Sequence, residues 1–256
     1  MEPRLTRRFT LLTATKPLNS FVRSRVSRMN SLLIGPNGAG KTTTFNLLTK
    51  FLPPTRGEIL FNGQDITREK PADVARRGII RSFQISAVFP NLTVLENVRV
   101  ALQRPLRTSF QFWRSEKSLH ALDGRAMALL ERVGLVQFAR LHAGELAYGR
   151  KRSLEIATTL AMEPELMLLD EPTAGMGHED VDRVRDLIRE VAAGRTVLMV
   201  EHNMSVVSGI CDTITVMQRG AVLAEGTYAQ VASNPQVVEA YMGTAPEDAG
   251  AMTAHG

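Results

Sequence analysis

The sequence predicts an α/β fold, a mixed sheet covered by helices, with a helical subdomain set into it. Three observations carry that prediction. Ser31–Ile34 is a short apolar run that passes through a glycine-rich loop into the helix-forming Phe45-Asn46-Leu47-Leu48. Two further runs, Leu166–Leu169 and Thr196–Val200, end in Asp170-Glu171 and in Glu201-His202. Between the first run and the second, Val94, Val98 and Leu102 recur at i, i+4 spacing, as do Leu129 and Val133. Short continuous apolar runs mark strands buried on both faces, whereas the i, i+4 pattern marks the packing face of a helix.

The chain has 256 residues, 44% hydrophobic and 22% charged, enough to bury a sizeable core. A net charge of +5 and a sequence pI near 9.7 favour anionic partners without singling out nucleic acid. No Asp or Glu occurs between Pro3 and Gly57. The single cysteine, Cys211, excludes an intramolecular disulfide and fits a reducing compartment. No apolar stretch reaches the roughly 18–20 residues of a spanning helix. The N-terminus lacks a signal-like apolar core, although its Arg- and Ser-rich, acid-poor composition is like that of an organellar transit peptide. A soluble chain with a peripheral membrane role is expected.

The loop is Gly35-Pro36-Asn37-Gly38-Ala39-Gly40-Lys41-Thr42-Thr43, which satisfies G-x-x-x-x-G-K-[ST] in a strand–loop–helix setting. Its glycines let successive N–H groups converge on phosphate oxygens, and the helix that begins near Lys41 adds the positive end of its dipole. Lys41 is placed to reach the β- and γ-phosphates of ATP, and the Thr42 hydroxyl to ligate Mg²⁺. Asp170 ends its strand as a carboxylate does in a Walker B element and is a second Mg²⁺ ligand. Neighbouring strand residues point oppositely, so Glu171 is expected to aim elsewhere, towards an attacking water, as general base. His202 follows a strand on the edge where α/β sheets bind ligands, within reach of a γ-phosphate.

In these residues the chain resembles the ABC ATPase family, a P-loop NTPase fold, over nearly its whole length. Gln84, after Ile79-Ile80-Arg81-Ser82-Phe83, is similar to the family's Q-loop glutamine, which the resemblance makes a sensor of Mg²⁺ and water. Leu146-Ala147-Tyr148-Gly149-Arg150 resembles the ABC signature, Ala174–Gly177 takes the D-loop place, and His202 the switch-histidine place. The sequence LAYG, the stretch from Gln103 to Leu122 and the ending from Glu225 to Gly243 are similar to ATP-binding subunits of branched-chain amino-acid importers. The resemblance implies a head-to-tail pair of ATPase subunits, identical or different, with ATP sandwiched between Gly35–Thr42 of one and Leu146–Arg150 of the other. It implies permease subunits docked near Gln84 and Ser86–Asn97, a solute-binding protein acting on the permease, and a place on the cytoplasmic face of the inner membrane.

Two regions depart from the family pattern. Ala147 stands where Ser is usual, which removes a hydroxyl donor, and Arg150 stands where Gln is usual. Phe9 is a candidate to stack on adenine, or a strand aromatic, while Ser20–Met29, with Arg23, Arg25 and Arg28, does not match the expected apolar strand closed by Gly-Glu. The stretch is either divergent or a sequence error; if divergent, the expected consequence is weaker adenine binding and weaker pairing of the first sheet.

One ABC ATPase domain is expected over residues 1–243. Its helical subdomain lies at about 91–143, and a frayed tail follows at 244–256. Val181, Val184, Leu187, Ile188 and Val191 form an apolar helical stripe, and Ile214–Met217 with Ala221–Ala224 a hairpin. Phe110, Phe112 and Trp113 form either a local core or a permease contact. Two other functions compete with transport. A soluble ABC ATPase acting on ribosomes or DNA would be marked by nucleic acid retained at high salt. A catalytically weak interaction subunit would be marked by a silent ATPase assay.

Overall fold

The computed structural model describes residues 9–13, 22–26, 31–82, 88–104, 120–192, 194–202, 206–207 and 210–242. Gln84, Phe110, Phe112, Trp113 and the tail after 243 lie outside these residues. In chain order, β1 (Phe9–Thr13) and β2 (Val22–Val26) precede β3 (Ser31–Ile34) and α1 (Lys41–Leu48). Then come β4 (Ile59–Phe61), β5 (Gln64–Asp65), α2 (Pro71–Arg76) and β6 (Ile79–Ser82). The helices α3 (Val94–Gln103), α4 (Asp123–Arg132) and α5 (Tyr148–Ala161) lead to β7 (Leu166–Asp170), α6 (His178–Ala192) and β8 (Thr196–Val200). The hairpin β9 (Thr213–Gln218) and β10 (Ala221–Gly226) is followed by α7 (Tyr228–Ala232) and α8 (Pro235–Met242).

Six strands form one sheet in the order β10-β9-β3-β8-β7-β6, parallel except for β10, which is antiparallel to β9. The central strands β3, β8 and β7 are apolar between their ends because both faces are covered. Leu33, Leu166, Leu168, Leu198 and Val200 face one core with Phe45, Leu47 and Leu48 of α1 and with Ile59 and Phe61 of β4. Leu32, Ile34, Met167, Leu169, Val197 and Met199 face the other, which continues into the predicted α6 stripe and the helices after residue 94. Alternate residues of each strand thus serve opposite cores, as the two-residue repeat requires.

The second sheet has the order β2-β1-β4-β5, with β1 antiparallel to both neighbours. Val22–Val26 pairs with β1 from Phe9 opposite Val26 to Thr13 opposite Val22, so this stretch supplies a strand of the second sheet. The sequence VRSRV alternates with the strand repeat, and that alternation is the signal the missing apolar run concealed.

Helix α3 opens with a capping box. Thr93 Oγ1 accepts from the Glu96 N–H at 3.2 Å, and Glu96 Oε2 accepts from the Thr93 N–H at 2.7 Å. Helix α3 packs on α4 and α5, and α5 also packs on β6 of the large sheet.

Candidate functional site

β3, β8 and β7 are adjacent and parallel, so their C-terminal ends open on one edge of the sheet. From that edge emerge the loop Gly35–Gly40, the turn at Glu171 and the pair Glu201-His202. The sheet therefore gathers candidates that are widely separated in sequence.

Gly35 lies at φ +154°, and a Cβ there would sit 2.2 Å from the Met217 carbonyl oxygen of β9, so the backbones meet too closely for a side chain. Gly40 is the N-cap of α1 at φ +101°, a left-handed conformation that turns the loop into the helix. The Thr44 N–H donates to the Gly40 carbonyl at 2.9 Å, which opens the helical ladder. The N–H groups of Lys41, Thr42 and Thr43 come before it and point back over the loop, where they and the helix dipole attract an anion. The Lys41 ammonium is buried and donates to the carbonyls of Gly35 at 2.5 Å and Pro36 at 3.2 Å. Asn37, Gly38, Thr42 and Thr43 are exposed, and Ala39 is buried. A cleft of about 580 Å³ adjoins Pro36–Ala39, bounded by Gln218, Arg219, Gln236 and Glu239.

Asp170 is the last residue of β7 and is buried. One of its oxygens, Oδ2, is ion-paired with Arg81 Nη2 of β6. Glu171 lies beyond the strand at φ +46°, so it diverges from Asp170 because the backbone turns left-handed and not because strand residues alternate. A non-glycine residue in that region is held there by its surroundings. Here the Glu171 N–H donates to the Val200 carbonyl at 2.8 Å. The Glu171 Oε1 lies 3.4 Å from His202 Nε2, so the two candidates are brought together.

Glu201, unassigned from sequence, joins the two loops behind that pair. Its Oε1 accepts from the Thr173 N–H at 2.9 Å and from the Thr173 hydroxyl, and its Oε2 accepts from the His202 N–H at 2.8 Å. Arg81 is likewise unassigned from sequence. The usable signal for both was a charge on or beside an apolar strand, since a buried charge requires a partner.

Leu146 is buried, and Ala147 is the N-cap of α5 with no side-chain hydrogen bond. Tyr148 is exposed, and its ring lies 3.9 Å from a Cβ placed on Gly175, while a Cβ on Gly149 would fall within 2.5 Å of the Asp180 carboxyl carbon. These signature residues therefore pack against the loop and helix after β7. The Arg150 guanidinium lies over the Phe138 ring at 4.2 Å. Phe9 lies on β1, but its side chain is outside the described atoms, as is the whole of Gln84.

The donors fit Mg²⁺ with a triphosphate. Thr42 offers a hydroxyl at the helix start and Asp170 a carboxylate at the end of β7, two strands from β3, the hard oxygens that Mg²⁺ takes alongside phosphate oxygens and water. No helix among the described residues is long and apolar enough to cross a membrane.

The family model described as ABC transporter matches residues 28–174, and that described as Branched-chain amino acid ATP-binding cassette transporter matches residues 221–247. The chain is 43% identical over 223 residues to the high-affinity branched-chain amino acid transport ATP-binding protein LivG of Escherichia coli (strain K12), covering 83% of this chain and 86% of the relative. It is 42% identical over 253 residues to BraF of Pseudomonas aeruginosa, a protein of the same description, covering 94% and 96%. Among solved structures, an ATP-binding cassette of an ABC transporter in its ADP conformation superposes with a TM-score of 0.77 at 30% identity, covering 93% of this chain and 99% of that one.

Proposed function

The chain belongs to the ABC transporter family of ATP-binding cassettes, and from that premise we propose that it binds and hydrolyses ATP to drive an importer of branched-chain or related amino acids. The observation that carries the ATPase reading is the convergence of Gly35–Thr43, Asp170-Glu171 and His202 on one sheet edge. The amino-acid class is supported by what the relatives are described as serving.

The loop N–H groups and Lys41 hold the triphosphate, and Thr42 and Asp170, with Gln84 as the resemblance implies, would hold Mg²⁺. Bound there, Mg²⁺ neutralises charge on the phosphate oxygens. Glu171 takes the proton of the attacking water, and His202, 3.4 Å from that carboxylate, keeps the water and the γ-phosphate in register. Positioning and charge neutralisation carry most of such a reaction. A second copy, or a related subunit, supplies Leu146–Arg150 to close over the nucleotide. ATP favours the closed pair because its γ-phosphate contacts exist only there, and hydrolysis reopens it. Permease subunits convert this cycle to alternating access, with the chain held peripherally on the cytoplasmic face and a solute-binding protein delivering cargo to the permease.

The native complex, isolated from membranes and reconstituted in liposomes, should take up labelled leucine, isoleucine or valine only with internal ATP, and should lose uptake with Lys41→Ala. Uptake that proceeds equally with the Lys41→Ala chain would refute the motor role. Robust ATPase activity with no amino-acid uptake would refute the cargo class.

A further inference from the structure

Arg81 places a charge on an edge strand whose preceding residues, Ile79 and Ile80, are buried. Its side chain is 11% exposed, and that of its partner Asp170 is 5% exposed. The guanidinium is a single plane with two ends in use. Nη2 is ion-paired with Asp170 Oδ2, and Nη1 donates to Asn46 Oδ1 at 2.7 Å. Its carbon lies 5.4 Å from the centroid of the Phe45 ring. Asn46 stands one helical turn beyond Thr42 on α1, so residues 42 and 46 share a face of that helix. One rigid fork thus reaches the end of β7, which carries Asp170, and the helix that carries Lys41 and Thr42.

Rigid planarity gives the bridge its value. Two nitrogens fixed in one plane set the separation and angle of the two acceptors, which a flexible ammonium cannot do. A carboxylate held through one oxygen by a rigid donor has its orientation fixed by that donor. Outer partners of this kind commonly alter metal affinity by ten- to a hundredfold without touching the metal.

We propose that Arg81 is a positioning residue for the metal at the nucleotide site, pinning Asp170 and, through Asn46, tying it to the helix of Lys41 and Thr42. The inference rests on Asp170 and Thr42 being the metal-side residues, as set out above. Arg81 then touches neither nucleotide nor metal, and it affects metal affinity in the nucleotide complex while leaving metal-free nucleotide binding alone.

The test is a Mn²⁺ titration, read by electron paramagnetic resonance, of the full chain with a non-hydrolysable ATP analogue. Nucleotide affinity is measured in parallel in EDTA. Arg81→Lys keeps the charge but loses the fork, and it should weaken Mn²⁺ about tenfold while metal-free nucleotide affinity holds. Asn46→Ala, which leaves the Arg81–Asp170 ion pair in place, should weaken Mn²⁺ by a smaller factor. The double variant should be no weaker than Arg81→Lys alone, because the two residues act through one bridge. Unchanged or tighter Mn²⁺ binding in Arg81→Lys, or no shift in Asn46→Ala, overturns the assignment, a tighter site marking Arg81 as a competitor of the metal. Asp170→Asn separates the two levels. If it weakens Mn²⁺ while the Arg81 and Asn46 variants do not, only the positioning role falls. If it has no effect, the metal-site reading falls with it.

Discussion

Glu171 and His202 meet at 3.4 Å, yet neither is where strand geometry alone would put it. Strand β7 ends at Asp170, and Glu171 adopts φ +46°, a conformation that costs an isolated glutamate on the order of 1 kcal/mol or more. The surrounding framework holds it there, through the Val200 carbonyl on one side and the Glu201 brace between Thr173 and His202 on the other. If Glu171 is the general base, Glu171→Gln keeps size and hydrogen bonding but cannot accept the proton. Hydrolysis should then fall by about 10²–10⁴-fold with ATP affinity retained, read by phosphate release and equilibrium binding. Turnover at the unaltered rate would remove Glu171 from that role. The glutamate could be singled out from sequence because it follows an apolar strand and an aspartate. Its backbone turn could not, since a left-handed glutamate has no compositional signature. Arg81 and Glu201 were equally silent, because their partners lie on other strands and loops far along the chain.

At the scale of elements, helix termini are where stability can be tuned. Ala147 caps α5 with an extended backbone, φ −60° and ψ 155°, and no side-chain acceptor for the first N–H groups. Ala147→Ser should supply one and stabilise the protein by about 0.5–2 kcal/mol in urea unfolding. It should also raise the rate of hydrolysis in the assembled pair if the same hydroxyl reaches the partner's nucleotide. Helix α3 shows the opposite case. The Glu96 carboxyl is held below the usual carboxylate range by hydrogen bonds from the Thr93 N–H and hydroxyl. A depressed folded pKa favours the folded state above the unfolded value, about 4.3, and that benefit is lost as pH falls through the folded pKa. Glu96→Ala should therefore lower stability at pH 7, and the difference from the unaltered protein should shrink as pH falls through the depressed folded pKa, read by urea unfolding across pH. The strands of the large sheet were legible because burial on both faces leaves continuous apolar runs. Strand β2 was harder to see, since VRSRV carries its signal as alternation and its arginines obscure it.

Among the described residues the six-stranded sheet lies between two cores, with Gly35–Thr43, Asp170-Glu171 and His202 at the carboxyl ends of β3, β7 and β8. The signature residues Tyr148 and Gly149 sit elsewhere, against Gly175 and Asp180 after β7, on a helix that packs into the helical subdomain. That arrangement suits a site completed by a second subunit, so the working unit is expected to be a pair whose closure depends on ATP. Spacing along the chain alone does not report which motifs face one another; the family resemblance supplied the expectation of a pair. The decisive experiment is calorimetric titration of the purified protein with ATP and Mg²⁺, run beside Lys41→Ala. Saturable binding that is reduced at least tenfold by loss of the ammonium is the predicted outcome, since a hydrogen bond to a charged group is worth about 1.5–3 kcal/mol. Absence of binding in the unaltered protein, alone or assembled, or equal binding by Lys41→Ala, would be incompatible with a triphosphate held by Gly35–Thr43.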